Sequence, residues 1–104
     1  MRIPMLLTIA LLVAACATGV TEVTGPVGKA IETADVRVIY RRPDCDFIEV
    51  ARIDMPGNYF NRVRLIDAMR AEAAKLGAEI LQIIDLETVG SSEFRGSARA
   101  LHCR

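Results

Sequence analysis

The spacing of apolar residues changes several times along this 104-residue chain, and each change marks an element. Val36-Arg37-Val38-Ile39-Tyr40 alternates and is β-branched, which predicts a strand. Arg41-Arg42-Pro43-Asp44 breaks the pattern, because proline fixes φ and aspartate closes turns through its side chain. Phe47 to Ile53 (FIEVARI) predicts a second strand, antiparallel to the first if the turn closes a hairpin. Met55-Pro56-Gly57-Asn58 interrupts it. The period then becomes helical: Leu65, Ile66, Met69, Ala73 and Leu76 form one apolar stripe, with Asp67, Arg70, Ala74 and Lys75 away from it. Asn58 or Asn61 suits the start of this helix, and Gly77 suits the left-handed residue just past its end.

Ala78 to Glu87 (AEILQIIDLE) predicts a third strand, covered on both faces as a central strand is. Thr88 to Gly96 is polar and flanked by glycine, which predicts a loop. Ser97 to Cys103 predicts the last strand, with Arg99, Leu101 and Cys103 on one face and Ala98, Ala100 and His102 on the other. The expected fold is α+β, a two-layer ββαββ domain over 35–104. It has a small four-stranded sheet, antiparallel or mixed, and one helix packed on one face.

The first residues read differently. Met1-Arg2 is a short basic region, and the apolar run from Ile3 to Ala15 falls short of the about 20 residues that a membrane-spanning helix needs. It suits a cleaved export signal over 1–15. Its end, Leu12-Val13-Ala14-Ala15-Cys16, resembles the lipobox of bacterial lipoproteins. That resemblance implies that Val13, Ala14 and Ala15 are read by the lipoprotein signal peptidase and that Cys16 becomes diacylated. It also implies that the chain is held by lipid at a membrane, since multiple acyl chains anchor where one is marginal. Ala17 stands where an aspartate would favour inner-membrane retention, so the expected location is the periplasmic face of the outer membrane. Residues 16–34 follow as the lipidated cysteine and a flexible tether, rich in Thr, Gly and Val and broken at Gly25-Pro26, with a short strand around Val20 to Thr24 as the less favoured alternative.

Charge and cysteine count narrow the function. With 13 basic and 13 acidic residues in all, loss of Arg2 leaves a mature net charge near −1, without the concentrated basic surface that nucleic acid requires. Of the 3 cysteines, lipidation of Cys16 leaves Cys45 and Cys103, and an even pair in a small exported domain reads as one disulfide. The rival is a metal or small-ligand site built from Cys45, Cys103 and His102, or from Asp44 and Asp46. Against it, Asp44 and Asp46 oppose a thiolate at Cys45, and alternation separates His102 from Cys103. Neither a phosphate-binding glycine loop nor a serine-centred nucleophile motif occurs, so the expectation is a non-enzymatic protein without a cofactor. Arg41, Arg42, Arg62 and Arg64 form a candidate cluster for lipid headgroups or an acidic partner.

Taken with the lipobox, VRVIYRRPDC, AAKLGAEIL and GSARALHC resemble a group of small Gram-negative lipoproteins. The periplasmic domain of that group is similar to the one in the Rcs stress-sensor lipoprotein. The resemblance spans roughly Val36 to Cys103 and implies that Cys45 and Cys103 match the group's disulfide pair and Gly77 its helix-ending glycine. This chain has neither the second disulfide nor the proline-rich tether of the Rcs sensor type. The implied role is protein binding in envelope maintenance or stress sensing, with Arg41 and Arg42 as candidate partner contacts.

Overall fold

In the computed structural model the described residues are 19–90 and 93–104, so Val13, Ala14, Ala15 and Cys16 lie outside them. The elements run β1 (Val20–Val23), a 3-10 turn (Thr33–Asp35), β2 (Arg37–Ile39), β3 (Phe47–Tyr59), α1 (Arg62–Lys75), β4 (Ile80–Val89) and β5 (Glu93–Cys103). One five-stranded mixed sheet has the order β1-β3-β5-β4-β2, with α1 across one face. The α+β class and the single helix agree with the sequence, while the strand count and order do not. No helix among the described residues is long and apolar enough to cross a membrane.

The expected hairpin between the first two alternating segments does not form. β2 pairs parallel with β4, Val38 opposite Leu81, and the chain crosses the end of the sheet to reach β3. Both edges of β3 are taken by antiparallel partners, β1 and β5. These long antiparallel ladders satisfy more backbone groups than a three-residue β2 could offer. The centre of the sheet is β5 rather than β4. Its alanines at 98 and 100 are 3% and 0% exposed, small enough to let α1 lie close to the strand.

In the polar segment 88–96, residues 88–89 and 93–96 are strand, not loop. β4 runs on to Val89 and β5 starts at Glu93, with Thr88 opposite Phe94 and Val89 opposite Glu93. β3 likewise runs through Pro56 to Tyr59, with irregular register between Met55 and Tyr59. A second irregularity lies between Glu49 and Ala51, where a bulge turns both Val50 and Ala51 toward the helix-side core. The same bulge sets Glu49 and Arg52 on one face, which regular alternation would forbid.

The helix-side core combines Val50, Ala51, Ile53 and Met55 of β3 with Leu65, Met69 and Ala73 of α1 and Leu81, Ile83, Ala98 and Ala100 of the other strands. Asn61 caps α1, its side chain accepting from the Val63 N–H at 2.8 Å. At the other end Ala78 N–H reaches Ala73 O and Gly77 N–H reaches Ala74 O, both at 3.1 Å. Gly77 takes φ +73°. These two bonds and the left-handed glycine make the helix end a Schellman motif.

Segment 19–35 is built into the fold, which corrects the expected flexible tether. Val20–Val23 lies along β3, and Thr24 and Gly25 N–H both donate to Val50 O. Gly28 N–H then donates to Leu76 O and Ile31 N–H to Ala74 O, each at 2.9 Å. The first of these bonds satisfies the helix-end carbonyl of Leu76, and the second adds to the bond that Ala74 O already accepts from the Gly77 N–H. The segment also explains why Ala74, off the predicted stripe, is only 3% exposed. The Arg70 guanidinium fastens the next turn, donating to Val36 O at 3.1 Å and Ala34 O at 3.4 Å.

Candidate functional site

A second, smaller apolar layer lies on the face of the sheet away from α1. Ile80 and Leu101 are cross-strand partners, 1% and 0% exposed, yet neither belongs to the helix-side core. Alternation puts Leu101 on the same face as Cys103. Cys103 is bonded to Cys45, with the two Cα atoms 5.7 Å apart. The disulfide therefore holds the Tyr40–Asp46 crossing against this face, and Pro43 within it is buried. Next to the bridge the ladder gains one more rung, Arg104 N–H to Asp46 O at 2.8 Å.

On this pinned crossing Arg41 and Arg42 are exposed. The Arg42 guanidinium carbon lies 5.4 Å from the Phe47 ring centre, and Arg99 approaches the same ring at 5.6 Å. Such stacking restrains a long side chain and keeps its charge at the surface. Arg37, Tyr40, Arg41 and Arg42 line a shallow cleft of about 360 Å3. Arg62 and Arg64 are not there: they begin α1, beyond the far end of β3. A strand of 13 residues spans roughly 40 Å, so the four arginines form two separate groups.

Beside Phe47 a row of polar groups crosses the sheet. Thr24 Oγ1 donates to Glu49 Oε1 at 2.7 Å, Arg52 Nε to the same oxygen at 3.1 Å, and Arg99 Nε to Glu49 Oε2 at 2.7 Å. Arg99 Nη1 continues to Gln82 Oε1 at 3.1 Å. Burial works to raise the Glu49 pKa, but the hydrogen bonds from Thr24, Arg99 and Arg52 outweigh it and hold the carboxyl below the usual 4.5. Sequence reading did not single out Glu49. Its signal is an acidic residue within an apolar strand, and without the bulge its partners could not be assigned.

Glu79 forms a second cluster behind the disulfide. One oxygen accepts from the Cys103 N–H and the other meets His102 Nδ1, both at 2.6 Å. Here too burial acts upward, and the bonds from Cys103 N–H and His102 prevail, leaving the Glu79 pKa lowered. His102 is thus engaged with a carboxylate, and both thiols of the metal alternative are spent on their bridge. Asp46 sits 3.9 Å from Arg104 Nε. Among the described residues no three of His, Cys, Asp and Glu come together as a metal set.

A third cluster lines a cleft of about 430 Å3 at the other end of this face, between Val20, Asp54, Asp85, Glu87 and Arg95. Arg95 holds Glu87 through Nη2 at 2.6 Å and Nε at 3.1 Å. A hydrogen bond with Glu87 raises the Asp85 pKa, and the same bond, with Arg95, lowers that of Glu87. Asp85 and Glu87 thus form, with Arg95, an ion-paired surface group rather than two free carboxylates.

Glu49 and Glu79 set an acid limit on stability. Each is held ionised below its ordinary value of 4.5, so the unfolded chain takes up their protons first as pH falls. Their contribution is complete above about pH 4.5 and is lost as pH drops through the lowered folded values. Urea unfolding between neutral pH and pH 3 should show this acid limb, and Glu49→Gln with Glu79→Gln should flatten it. An unchanged limb would assign acid sensitivity to other carboxylates.

No family model, curated protein or solved structure matches the chain.

Proposed function

We propose that the chain is an exported lipoprotein, acylated on Cys16 and held at the periplasmic face of the outer membrane. There its folded part binds an envelope protein without catalysing a reaction. The Cys45–Cys103 bridge carries this reading. Stable disulfides belong to oxidising compartments, the destination that the lipobox-like Val13 to Cys16 implies. The likeness of VRVIYRRPDC and GSARALHC to the Rcs-type lipoproteins supports a role in envelope maintenance or stress sensing.

The disulfide-held crossing is the partner contact. Tyr40 is 59% exposed and stands beside Arg41 and Arg42, and residues ordered before binding lose less entropy when they bind. Tyrosine and arginine are also the residue types that dominate protein interfaces. A photocrosslinking amino acid placed at Tyr40 in living cells is expected to trap a discrete adduct. Arg41→Glu with Arg42→Glu should abolish the adduct while leaving the oxidised fold intact by circular dichroism. An adduct pattern indifferent to both arginines, or matched by the same probe at Thr88, would refute the contact.

A further inference from the structure

β1 is antiparallel to β3, with Val20 opposite Asp54 and Val23 opposite Ala51. Followed backwards, the chain therefore leaves the sheet toward the end where β3 runs into α1. Only Ala17, Thr18 and Gly19 separate Cys16 from Val20, a reach of at most about 14 Å. An anchor on Cys16 would thus hold this end of the domain near the bilayer, not at the distance that an 18-residue coil would allow.

The same end carries the two most exposed large apolar side chains of the described residues, Phe60 at 72% and Val63 at 64%. Arg62 and Arg64 alternate with them and are in no ion pair among the described residues, a condition they share with Arg37, Arg41 and Arg42 at the other end of the sheet, whereas Arg52, Arg70, Arg95, Arg99 and Arg104 each have a carboxylate. Apolar and aromatic groups interleaved with unpaired arginines suit the boundary between headgroups and acyl chains. Asp54, Asp85 and Glu87 also lie toward this end, but on the face away from α1. An anionic surface would accordingly select the α1 side.

We propose that the Phe60–Arg64 end is a membrane-docking surface. Phe60 and Val63 enter the headgroup region, and Arg62 and Arg64 bind phospholipid phosphates. This rests on acylation of Cys16 and gives the domain an orientation, with the Arg41–Arg42 crossing at the opposite end, facing the periplasm.

The chain contains no tryptophan, so Phe60→Trp supplies a single emitter, and Ile84→Trp on the face away from α1 supplies its control. Each full-length variant is recovered from cells fed a palmitate tracer. It is then reconstituted into vesicles of phosphatidylethanolamine and phosphatidylglycerol, with or without brominated acyl chains. The expected result is blue-shifted emission from Phe60→Trp, quenched several-fold more by brominated lipid than that of Ile84→Trp. Adding Arg62→Glu and Arg64→Glu should remove most of the difference. Equal quenching in a palmitate-labelled sample overturns the docking surface alone. A blue-shifted Phe60→Trp emission that brominated lipid does not quench also overturns it, since a protein surface then covers that end. Absence of palmitate overturns the anchor and the docking surface together.

Discussion

Replacing Cys45 and Cys103 together by serine is expected to lower the unfolding free energy by about 4 kcal/mol. The bridge spans a sequence separation of 58, and the chain-entropy relation for a loop of that size gives about 4 kcal/mol at room temperature. For a small domain with a total of about 5–15 kcal/mol this is a large share. It corresponds to a melting temperature lower by roughly 15–30 °C. The packing points the same way. Without the bridge, the crossing that covers Ile80 and Leu101 keeps the Arg104–Asp46 rung and the Arg42 stack, both noncovalent and therefore absent from the unfolded chain, which they do not constrain. Thermal and urea unfolding of the oxidised chain and the double variant measure the difference. A loss below about 1 kcal/mol would show that those noncovalent contacts, rather than the loop constraint, hold the crossing.

Gly77→Ala should cost about 3 kcal/mol, far more than a surface alanine normally does. At φ +73° an L-residue costs about 1–2 kcal/mol. The added Cβ would also lie 2.5 Å from Lys29 O and 2.7 Å from Gly28 C, backbone atoms that no rotamer change can move. Relief requires residues 28–31 to lift from the helix end, giving up the bonds from Gly28 and Ile31, each worth about 1 kcal/mol. Gly90→Ala is the control. Its φ is +66°, but its Cβ would meet nothing within 4 Å, so only the conformational cost of about 1–2 kcal/mol applies. Urea unfolding of both variants separates the two contributions. Equal losses would mean that the 28–31 segment is not fastened to α1.

What the sequence disclosed and what it concealed divide along physical lines. The helix was legible because its signals are local: a period of 3.6, Asn61 at one end and Gly77 at the other. The Cys45–Cys103 pairing followed from cysteine count, and the faces of Ser97 to Cys103 from simple alternation. Strand order was not legible, because whether β2 pairs with β3 or β4 depends on competition between ladders distant in sequence. β1 is legible only as the less favoured alternative to a tether, since its Val-Thr-Glu-Val lies at an edge, where exposure hides the apolar period. The strand residues 88–89 and 93–96 carry no strand signal in sequence for a similar reason: of them only Gly96 is buried, and their cross-strand register rather than burial holds them. Among candidate site residues, Arg41 and Arg42 do share a cleft, whereas Arg62 and Arg64 belong to the other end of the domain. The Glu49 network needed a bulge that no sequence period announces.

The docked position of 19–35 bears directly on function, since it shortens the expected tether to Ala17, Thr18 and Gly19. With Cys16 acylated as proposed, a domain held so close to the bilayer would reach partners in or beside the membrane more readily than partners across the periplasm. The most direct test of the account is mass spectrometry of the full-length chain recovered from bacterial membranes without reductant. The account predicts a mature chain beginning at Cys16, bearing diacylglyceryl on sulfur, with Cys45 and Cys103 linked to each other. A chain still beginning at Met1, or one with an unmodified Cys16 and free thiols at Cys45 and Cys103, would contradict it.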